Sequence, residues 1–131
     1  WANDGKPILG ICLGMQLLLS SSEENGVTKG LGLISGHVSP LLESDRKIHI
    51  GWNKVEPIAK NDIITESGFA YFVHSYACRQ ENESHIIAQT TYGESFTSAI
   101  QKNNVIGVQF HPEKSQDFGL DILRRFSLGE I

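Results

Sequence analysis

The sequence predicts one α/β domain over residues 1–131, and apolar runs near its two ends carry that prediction. The run Pro7 to Ile11 is short, contains β-branched residues and starts at a proline, which is typical of a buried strand. Leu, Met and Gln in the segment Leu13 to Leu19 favour a helix directly after it. A second apolar strand is expected at Val105 to Phe110. Alternating elements in a chain of ordinary globular composition indicate an α/β fold.

The middle of the chain predicts further short elements. Residues 20–26 are polar and predict a turn, and residues 31–38 predict a short strand pair or a bulged strand. A strand over residues 47–50 is expected to end in a turn at Gly51-Trp52-Asn53. Aromatic and branched side chains over residues 69–76 predict another strand.

The last third predicts a hairpin, a strand and a helix. Residues 86–92 and 96–100 flank Gly93-Glu94-Ser95, which is typical of a β-hairpin. After the strand 105–110, Ser115 and Asp117 are expected to cap a helix over residues 118–126. The side chains expected to share the apolar face of that helix are Leu120, Leu123 and Phe126.

Cys12 stands between the first predicted strand and the first predicted helix. Gly10 lies two residues before it and Gly14 two residues after it, which is the pattern of a nucleophile elbow. The start of a helix places partial positive charge near the sulfur, and we expect this to favour the thiolate. The alternative is a buried structural thiol, because free cysteine is among the most buried residue types.

A histidine and a carboxylate follow the strand 105–110. The strand delivers His111 at its C-terminal end, where α/β sheets place catalytic groups. Pro112 restricts His111 to extended conformations, in which Glu113 projects toward the same side. A solvated strand end would explain these residues alone. Together with Cys12 they predict a triad, in which His111 takes the thiol proton and Glu113 orients the imidazole.

Composition and charge exclude several classes of function. The net charge of −4, without a basic cluster, argues against nucleic acid as a partner. No secretory signal or 18-residue apolar span occurs, so we expect a cytoplasmic protein without membrane association. The other histidines lack the spacing of a metal site, and neither metal nor cofactor is expected. Cys78 has no base nearby in sequence and is expected to be inert.

These segments together resemble the class I glutamine amidotransferases over Pro7 to about Phe126. The strongest motifs are Pro-Ile-Leu-Gly-Ile-Cys-Leu-Gly-Met-Gln and Gly-Val-Gln-Phe-His-Pro-Glu-Lys-Ser. Residues 22–24, 30–34, 51–53 and 71–76 are most similar to the glutaminase subunits of imidazole glycerol phosphate synthase. The resemblance implies a flavodoxin-like fold, with a mixed central sheet and flanking helices, that is incomplete at the N-terminus.

The resemblance also implies a reaction and a set of roles. The family hydrolyses glutamine to glutamate and ammonia without a cofactor, and these subunits pass the ammonia to a (β/α)8 cyclase or synthase partner in histidine biosynthesis. Cys12, His111 and Glu113 match the catalytic triad, and the backbone N–H of Leu13 matches an oxyanion donor. The residues implied in glutamine binding are Gln16, Glu24, Ser75 and Tyr76. Those implied in contact with the partner subunit are Gly51, Trp52, Asn53 and Lys114.

Two departures from the family pattern keep alternatives open. The family usually has a proline directly before the histidine that here is His49, whereas this chain has Ile48. Because that segment would meet the partner, a related glutaminase that supplies ammonia for surface-sugar amination is one alternative. A non-catalytic docking module and a cysteine hydrolase of other substrates are two more.

The second departure is at the start of the chain. Family members carry strands and a glycine-rich oxyanion loop ahead of the Pro7 strand, and this sequence starts at Trp1. Losing one oxyanion donor typically lowers turnover about 10²–10³-fold. The chain alone is therefore expected to be a weak or inactive glutaminase.

Overall fold

The computed structural model describes residues 1–24, 26–41 and 48–129, which form strands, two α-helices and three 3-10 turns. The strands are β1 (Ile8–Ile11), β2 (Ser21–Ser22), β3 (Thr28–Lys29), β4 (Gly36–Pro40), β5 (His49–Pro57), β6 (Gly68–His74), β7 (Tyr76–Gln80), β8 (Ile86–Tyr92), β9 (Glu94–Lys102) and β10 (Val105–Val108). The helices are α1 (Leu13–Leu17) and α2 (Gln116–Ser127), and the 3-10 turns are Ala2–Asp4, Glu83–His85 and Pro112–Lys114.

A mixed sheet connects these strands in the order β3-β2-β4-β7-β9-β8-β5-β6, and β9 also pairs with β10, which pairs with β1. β1 runs parallel to β10, with Ile11 opposite Val108, and β2 runs parallel to β4. The other described pairs are antiparallel. Because β1 and β10 are parallel neighbours, the residues that follow them leave the sheet at the same edge.

Two clusters of buried side chains form the core. The larger contains Phe72, Phe110 and Ile122, and the smaller lies around α1 and contains Met15 and Leu19. Each such side chain contributes about 1.5–3 kcal/mol when it is fully buried. The smaller cluster therefore fixes α1 through its inward face. Among the helices of the described ranges, none is long and apolar enough to cross a membrane.

A close backbone contact holds α1 against β1. A Cβ at Gly10 would lie 2.6 Å from the carbonyl oxygen of Gly14, so this position has room only for glycine. A Cβ at Gly14 would meet nothing within 4 Å. The expectation that both glycines flanking Cys12 serve the tight turn is therefore wrong for Gly14.

The first helix is shorter than expected, and the predicted turn after it contains a strand. α1 ends at Leu17 instead of Leu19, where the N–H of Leu31 donates to the Leu17 carbonyl at 2.7 Å. β2 lies inside the predicted turn 20–26 and pairs with β3 and β4. Hydrogen bonds to residues distant in sequence thus override the polar composition of this segment.

The structure corrects the turn predicted at Gly51-Trp52-Asn53. β5 continues through these residues to Pro57 and pairs with β6, with Trp52 opposite Tyr71. Gly51 has a φ of +123°, which side-chain-bearing residues rarely adopt. The glycine thus marks a local irregularity inside a long strand. Lys47, where the strand was expected to begin, lies outside the described residues.

The hairpin and the last helix are present, with differences in detail. β8 and β9 form the predicted hairpin around Gly93. α2 starts at Gln116, and Ser115 precedes it without a side-chain capping bond. The Ser115 hydroxyl instead donates to the His111 carbonyl at 2.6 Å. Leu120 is 55% exposed, so its predicted place on the apolar face is wrong; Gly119 and Ile122 are the buried positions of α2.

Candidate active site

Cys12 occupies a sharp bend between β1 and α1. Its φ of +55° and ψ of −108° are unusual for a residue with a side chain. The Cys12 N–H donates to the Val108 carbonyl at 2.8 Å, and the Cys12 carbonyl accepts from the Gln16 N–H at 3.2 Å. Strand pairing on one side and helix formation on the other therefore hold the strained backbone, which presents a partly exposed sulfur.

The Cys12 sulfur lies between one acceptor and one donor. Its thiol donates to the Val73 carbonyl at 3.6 Å, and the Gln109 Nε2 donates to the sulfur at 3.8 Å. Burial raises the pKa of the Cys12 thiol above its ordinary value, although the Leu13 N–H and the Gln109 amide act in the opposite direction. The expectation that the helix start makes this thiol more acidic is thus wrong in its net direction, and the thiol needs a base.

His111 and Glu113 form a hydrogen-bonded pair. The His111 Nδ1 lies 3.1 Å from the Glu113 Oε2, so Nδ1 donates and Nε2 remains free to accept a proton. His111 is extended as predicted, with a φ of −97° and a ψ of 98°, but the chain enters a 3-10 turn at Pro112 and does not stay extended through Glu113. The His111 N–H donates to the Tyr71 carbonyl at 2.9 Å. Strand β6, which also contains Val73, therefore fixes the backbone of His111.

Strand pairing places His111 and Cys12 at the same edge of the sheet, although His111 does not line the pocket at Cys12. Both residues follow the adjacent parallel strands β1 and β10. Both also bond to β6: the Cys12 sulfur to Val73 and the His111 N–H to Tyr71. Two residues along a strand span about 6.6 Å. In the described part of the chain no hydrogen bond joins the sulfur to the imidazole, and such bonds often tighten only when substrate binds.

A pocket opens directly on Cys12. Its cavity volume is ≈ 260 Å³, which is small beside the about 300–1,000 Å³ of drug-sized ligand sites and suits a ligand the size of an amino acid. Its lining residues are Cys12, Leu13, Gln16, Glu24, Ile48, Val73, His74, Ser75 and Tyr76. The structure therefore brings together all four residues implied in glutamine binding, the nucleophile and Leu13. No group of three metal-binding side chains occurs in residues 1–24, 26–41 and 48–129.

The pocket residues come from three different elements. Gln16 lies on α1, where its buried Nε2 donates to the Tyr76 carbonyl and to the Gln109 Oε1, each at 3.4 Å. Glu24 follows β2, and its N–H donates to the Ser22 hydroxyl at 3.1 Å. Ser75 lies where β6 ends and β7 begins, so its backbone leaves the ladder beside the pocket.

A buried histidine pair that the sequence analysis did not predict supports the pocket wall. The His49 Nδ1 lies 3.0 Å from the His74 Nε2, and the His74 Nδ1 lies 2.8 Å from the Tyr76 carbonyl. Because a carbonyl only accepts, His74 carries its proton on Nδ1 and accepts from His49. Burial lowers the pKa of both histidines to about 4, so both rings are neutral.

Gln109 is a second pocket-side residue that sequence reasoning missed. Its side chain is fully buried and its amide contacts both Cys12 and Gln16. The available signal was an amide in the otherwise apolar run 105–110, two residues before His111. A buried amide needs hydrogen-bond partners, so an amide at this position indicates polar contacts near His111.

The residues implied in partner contact lie outside the pocket. Trp52 is 49% exposed and its ring meets the Tyr71 ring edge-on, with centroids 6.0 Å apart. Lys114 is exposed in the 3-10 turn after His111. The Asn53 amide instead bonds inward, to the Thr91 carbonyl at 2.8 Å and to the His49 Nε2 at 3.3 Å. Tyr71 connects these groups to the site because its backbone bonds to His111.

Comparison with known proteins identifies the family. Residues 1–128 match the family model described as glutamine amidotransferase class-I. The chain belongs to that family. It is 48% identical over 125 residues to the imidazole glycerol phosphate synthase subunit HisH of Zymomonas mobilis subsp. mobilis, which covers 93% of this chain and 59% of the relative. It is also 48% identical over 132 residues to the chloroplastic imidazole glycerol phosphate synthase hisHF of Arabidopsis thaliana, over 96% of this chain and 22% of the relative.

The amidotransferase chain is shorter than the relatives it matches. It spans 59% and 64% of the length of the first two curated relatives. Its fold is similar to the crystal structure of a glutamine amidotransferase from Thermotoga maritima, with a TM-score of 0.64 and 18% identity over 98% of this chain and 50% of that one. At that identity the likeness concerns the fold alone. The predicted family and the predicted mixed-sheet fold are therefore confirmed.

Proposed function

We propose that this chain provides the glutaminase site of a glutamine amidotransferase, which hydrolyses glutamine to glutamate and ammonia. The pocket at Cys12 supports the proposal most directly, because the bent nucleophile and all four residues implied in glutamine binding face one small cavity. The His111–Glu113 pair lies at the adjacent strand end. Nothing in a purely docking role requires this arrangement.

The proposed mechanism is acyl transfer through a thioester. The His111 Nε2 takes the thiol proton of Cys12, and the thiolate adds to the side-chain amide carbon of glutamine. The Leu13 N–H stabilises the oxyanion, and His111 returns the proton to the nitrogen, which leaves as ammonia. A water that His111 deprotonates then attacks the thioester, and glutamate leaves as the Cys12 thiol is restored.

The pocket offers complementary groups for the rest of glutamine. The Glu24 carboxylate is the acidic side chain among the lining residues, and it suits the substrate ammonium group. The backbone at Ser75 and Tyr76 suits the substrate carboxylate and the extended side chain. With the substrate ammonium group at Glu24, the side-chain amide carbon of glutamine would face Cys12, which lines the same cavity.

For the complete protein we infer a (β/α)8 cyclase or synthase subunit as the ammonia acceptor, in histidine biosynthesis. The names of the relatives support this choice over surface-sugar amination. The Arabidopsis relative also supports it, because that protein is named as the whole synthase and the region that matches this chain is only 22% of its length. The exposed Trp52 offers an aromatic anchor for the partner, beside the strand that holds His111.

The function is tested by glutamate release, measured with and without a (β/α)8 synthase subunit. We expect Cys12→Ala to abolish release, whereas the matched control Cys78→Ala, which removes a buried thiol in the core, should keep it. Selective labelling of Cys12 by an electrophilic glutamine analogue gives a second readout for a chain with low turnover. Measurable glutamate release that is equal in the Cys12→Ala variant and the unchanged chain would contradict the proposal.

A further inference from the structure

Gln109 is a fully buried polar side chain directly beside the nucleophile. It follows β10, and its N–H donates to the Ser98 carbonyl at 2.9 Å. Both ends of its side-chain amide point to the site: Nε2 toward the Cys12 sulfur at 3.8 Å and Oε1 toward the Gln16 Nε2 at 3.4 Å. Burying an amide costs free energy that an apolar side chain of the same size would avoid. The placement of this amide therefore calls for a role beyond packing.

The hydrogen-bond network fixes which end of the Gln109 amide faces the sulfur. The Tyr76 carbonyl can only accept, so Gln16 must direct its NH2 group there. The same NH2 group faces Gln109, which must then present its oxygen. Its own NH2 group is left to face Cys12. The sulfur thus receives a donor, which interacts more strongly with a thiolate than with a thiol.

The Tyr76 carbonyl that orients Gln16 is itself held in place. It accepts from the His74 Nδ1 at 2.8 Å, and the His74 Nε2 accepts from the His49 Nδ1 at 3.0 Å. The nearby charged groups act against a thiolate, since the carboxylates of Glu24 and Glu113 both raise the pKa of Cys12. A fixed neutral donor offsets that repulsion without adding a charge.

We propose that Gln109 is a positioning residue for Cys12, which donates its amide hydrogen bond to the sulfur and, held by Gln16, stabilises the thiolate that attacks the substrate. This inference rests on the proposed role of Cys12 as nucleophile. The long N–S distance belongs to the resting thiol, and the bond should shorten once the sulfur carries charge.

The test is the pH dependence of Cys12 alkylation by iodoacetamide in the full 131-residue chain, with the labelled residue assigned by peptide mapping. Gln109→Met keeps the volume and removes the amide. We expect the midpoint of its rate profile to move upward by about one pH unit, which lowers the alkylation rate at pH 7.5 roughly tenfold. Cys78 does not compete, because burial raises its pKa to about 12.

Ser98→Ala is the matched control. Ser98 is fully buried on the adjacent strand, and its hydroxyl has no partner among the described residues. Its removal should leave the profile unchanged. If Gln109→Met does not fold, Gln109→Glu replaces it, and the added negative charge should raise the midpoint further.

A profile that superposes on that of the unchanged chain, or a rate reduced equally at all pH values, would overturn the proposal. The readout needs no glutamine and no partner subunit. If the complete enzyme releases no glutamate but the shift is present, the effect of Gln109 on the sulfur stands while the proposed function fails. Glutamate release without the shift would have the opposite meaning.

Discussion

At the scale of residues, Cys12 experiences opposing influences on its charge. Burial and two carboxylates favour the neutral thiol, whereas the Leu13 N–H and the Gln109 amide favour the thiolate. The net effect raises the pKa of the thiol, so the sulfur is uncharged at rest. In the proposed mechanism, reactivity therefore depends on proton transfer to His111, whose Nδ1 is hydrogen-bonded to Glu113.

Removing the Glu113 carboxylate should affect the chemical step more than substrate binding. We expect Glu113→Gln to lower turnover about 10²–10⁴-fold with little change in KM, because the imidazole loses the group that orients it and stabilises its cationic form. Steady-state glutaminase assays of the complete enzyme measure this. Asp117→Asn, which removes an exposed carboxylate in the first turn of α2, is the control. A proportional rise in KM at constant turnover would contradict the assigned role.

The sequence could supply the residues whose chemistry is recognisable in a local motif. Cys12 lies between a strand and a helix, and His111 and Glu113 follow a strand, so their neighbours in sequence define their contexts. Gln109 and His74 could not be assigned in this way. Their roles depend on Gln16 and His49, which are distant in sequence and reach them only through the folded sheet.

At the scale of elements, the packing of α1 on β1 determines how the nucleophile is presented. The two backbones approach so closely at Gly10 that a Cβ would overlap the Gly14 peptide. The bend at Cys12 thus requires a glycine at position 10, where a side chain would not fit. Gly14, in contrast, faces open space at the start of the helix.

These two glycines provide a matched pair of substitutions. Gly10→Ala should lower the free energy of unfolding by about 1–3 kcal/mol, because the helix must shift to make room. Gly14→Ala should raise it by about 0.5–1 kcal/mol, because alanine favours the helix and meets no obstacle. Urea unfolding followed by circular dichroism measures both. Equal effects of the two substitutions would show that the approach at Gly10 imposes no constraint.

Local sequence signals predicted the type of many elements but missed where several of them begin and end. The apolar strand at Ile8–Ile11 and the hairpin around Gly93 agree with their patterns. Gly51-Trp52-Asn53 has the composition of a turn, yet pairing with β6 extends β5 through it. Ser115 has the composition of a cap, yet its hydroxyl bonds to His111 and Tyr71. In both cases a partner that is distant in sequence, the backbone of β6, contributes to the observed conformation.

At the scale of the whole molecule, the neutral histidine pair makes stability depend on pH. His49 and His74 are 2% and 6% exposed, and His49 is stacked between Tyr92 and Phe72. Burial lowers the pKa of each to about 4, compared with about 6.5 in an unfolded chain. Between these values the unfolded state binds more protons. Stability therefore falls as the pH falls through this window, and the histidines cause no further loss below it.

We expect the free energy of unfolding to decrease by up to about 1.4 kcal/mol per histidine for each pH unit between 6.5 and about 4. Urea titrations between pH 7 and pH 5 isolate this effect, because most carboxylates titrate lower. NMR titration of the imidazole nitrogens assigns it to His49 and His74. Midpoints near 6.5 for both rings would contradict the prediction.

The pairing of β1 with β10 also sets the order of events while the protein is made. Residue 12 leaves the ribosome long before residue 111, and contacts so distant along the chain form late in folding. Until β10 pairs with β1, the thiol lacks its proposed proton acceptor, His111. If the proposed function is correct, the nascent polypeptide carries an unreactive thiol, and glutamine hydrolysis can begin only after β10 has paired with β1.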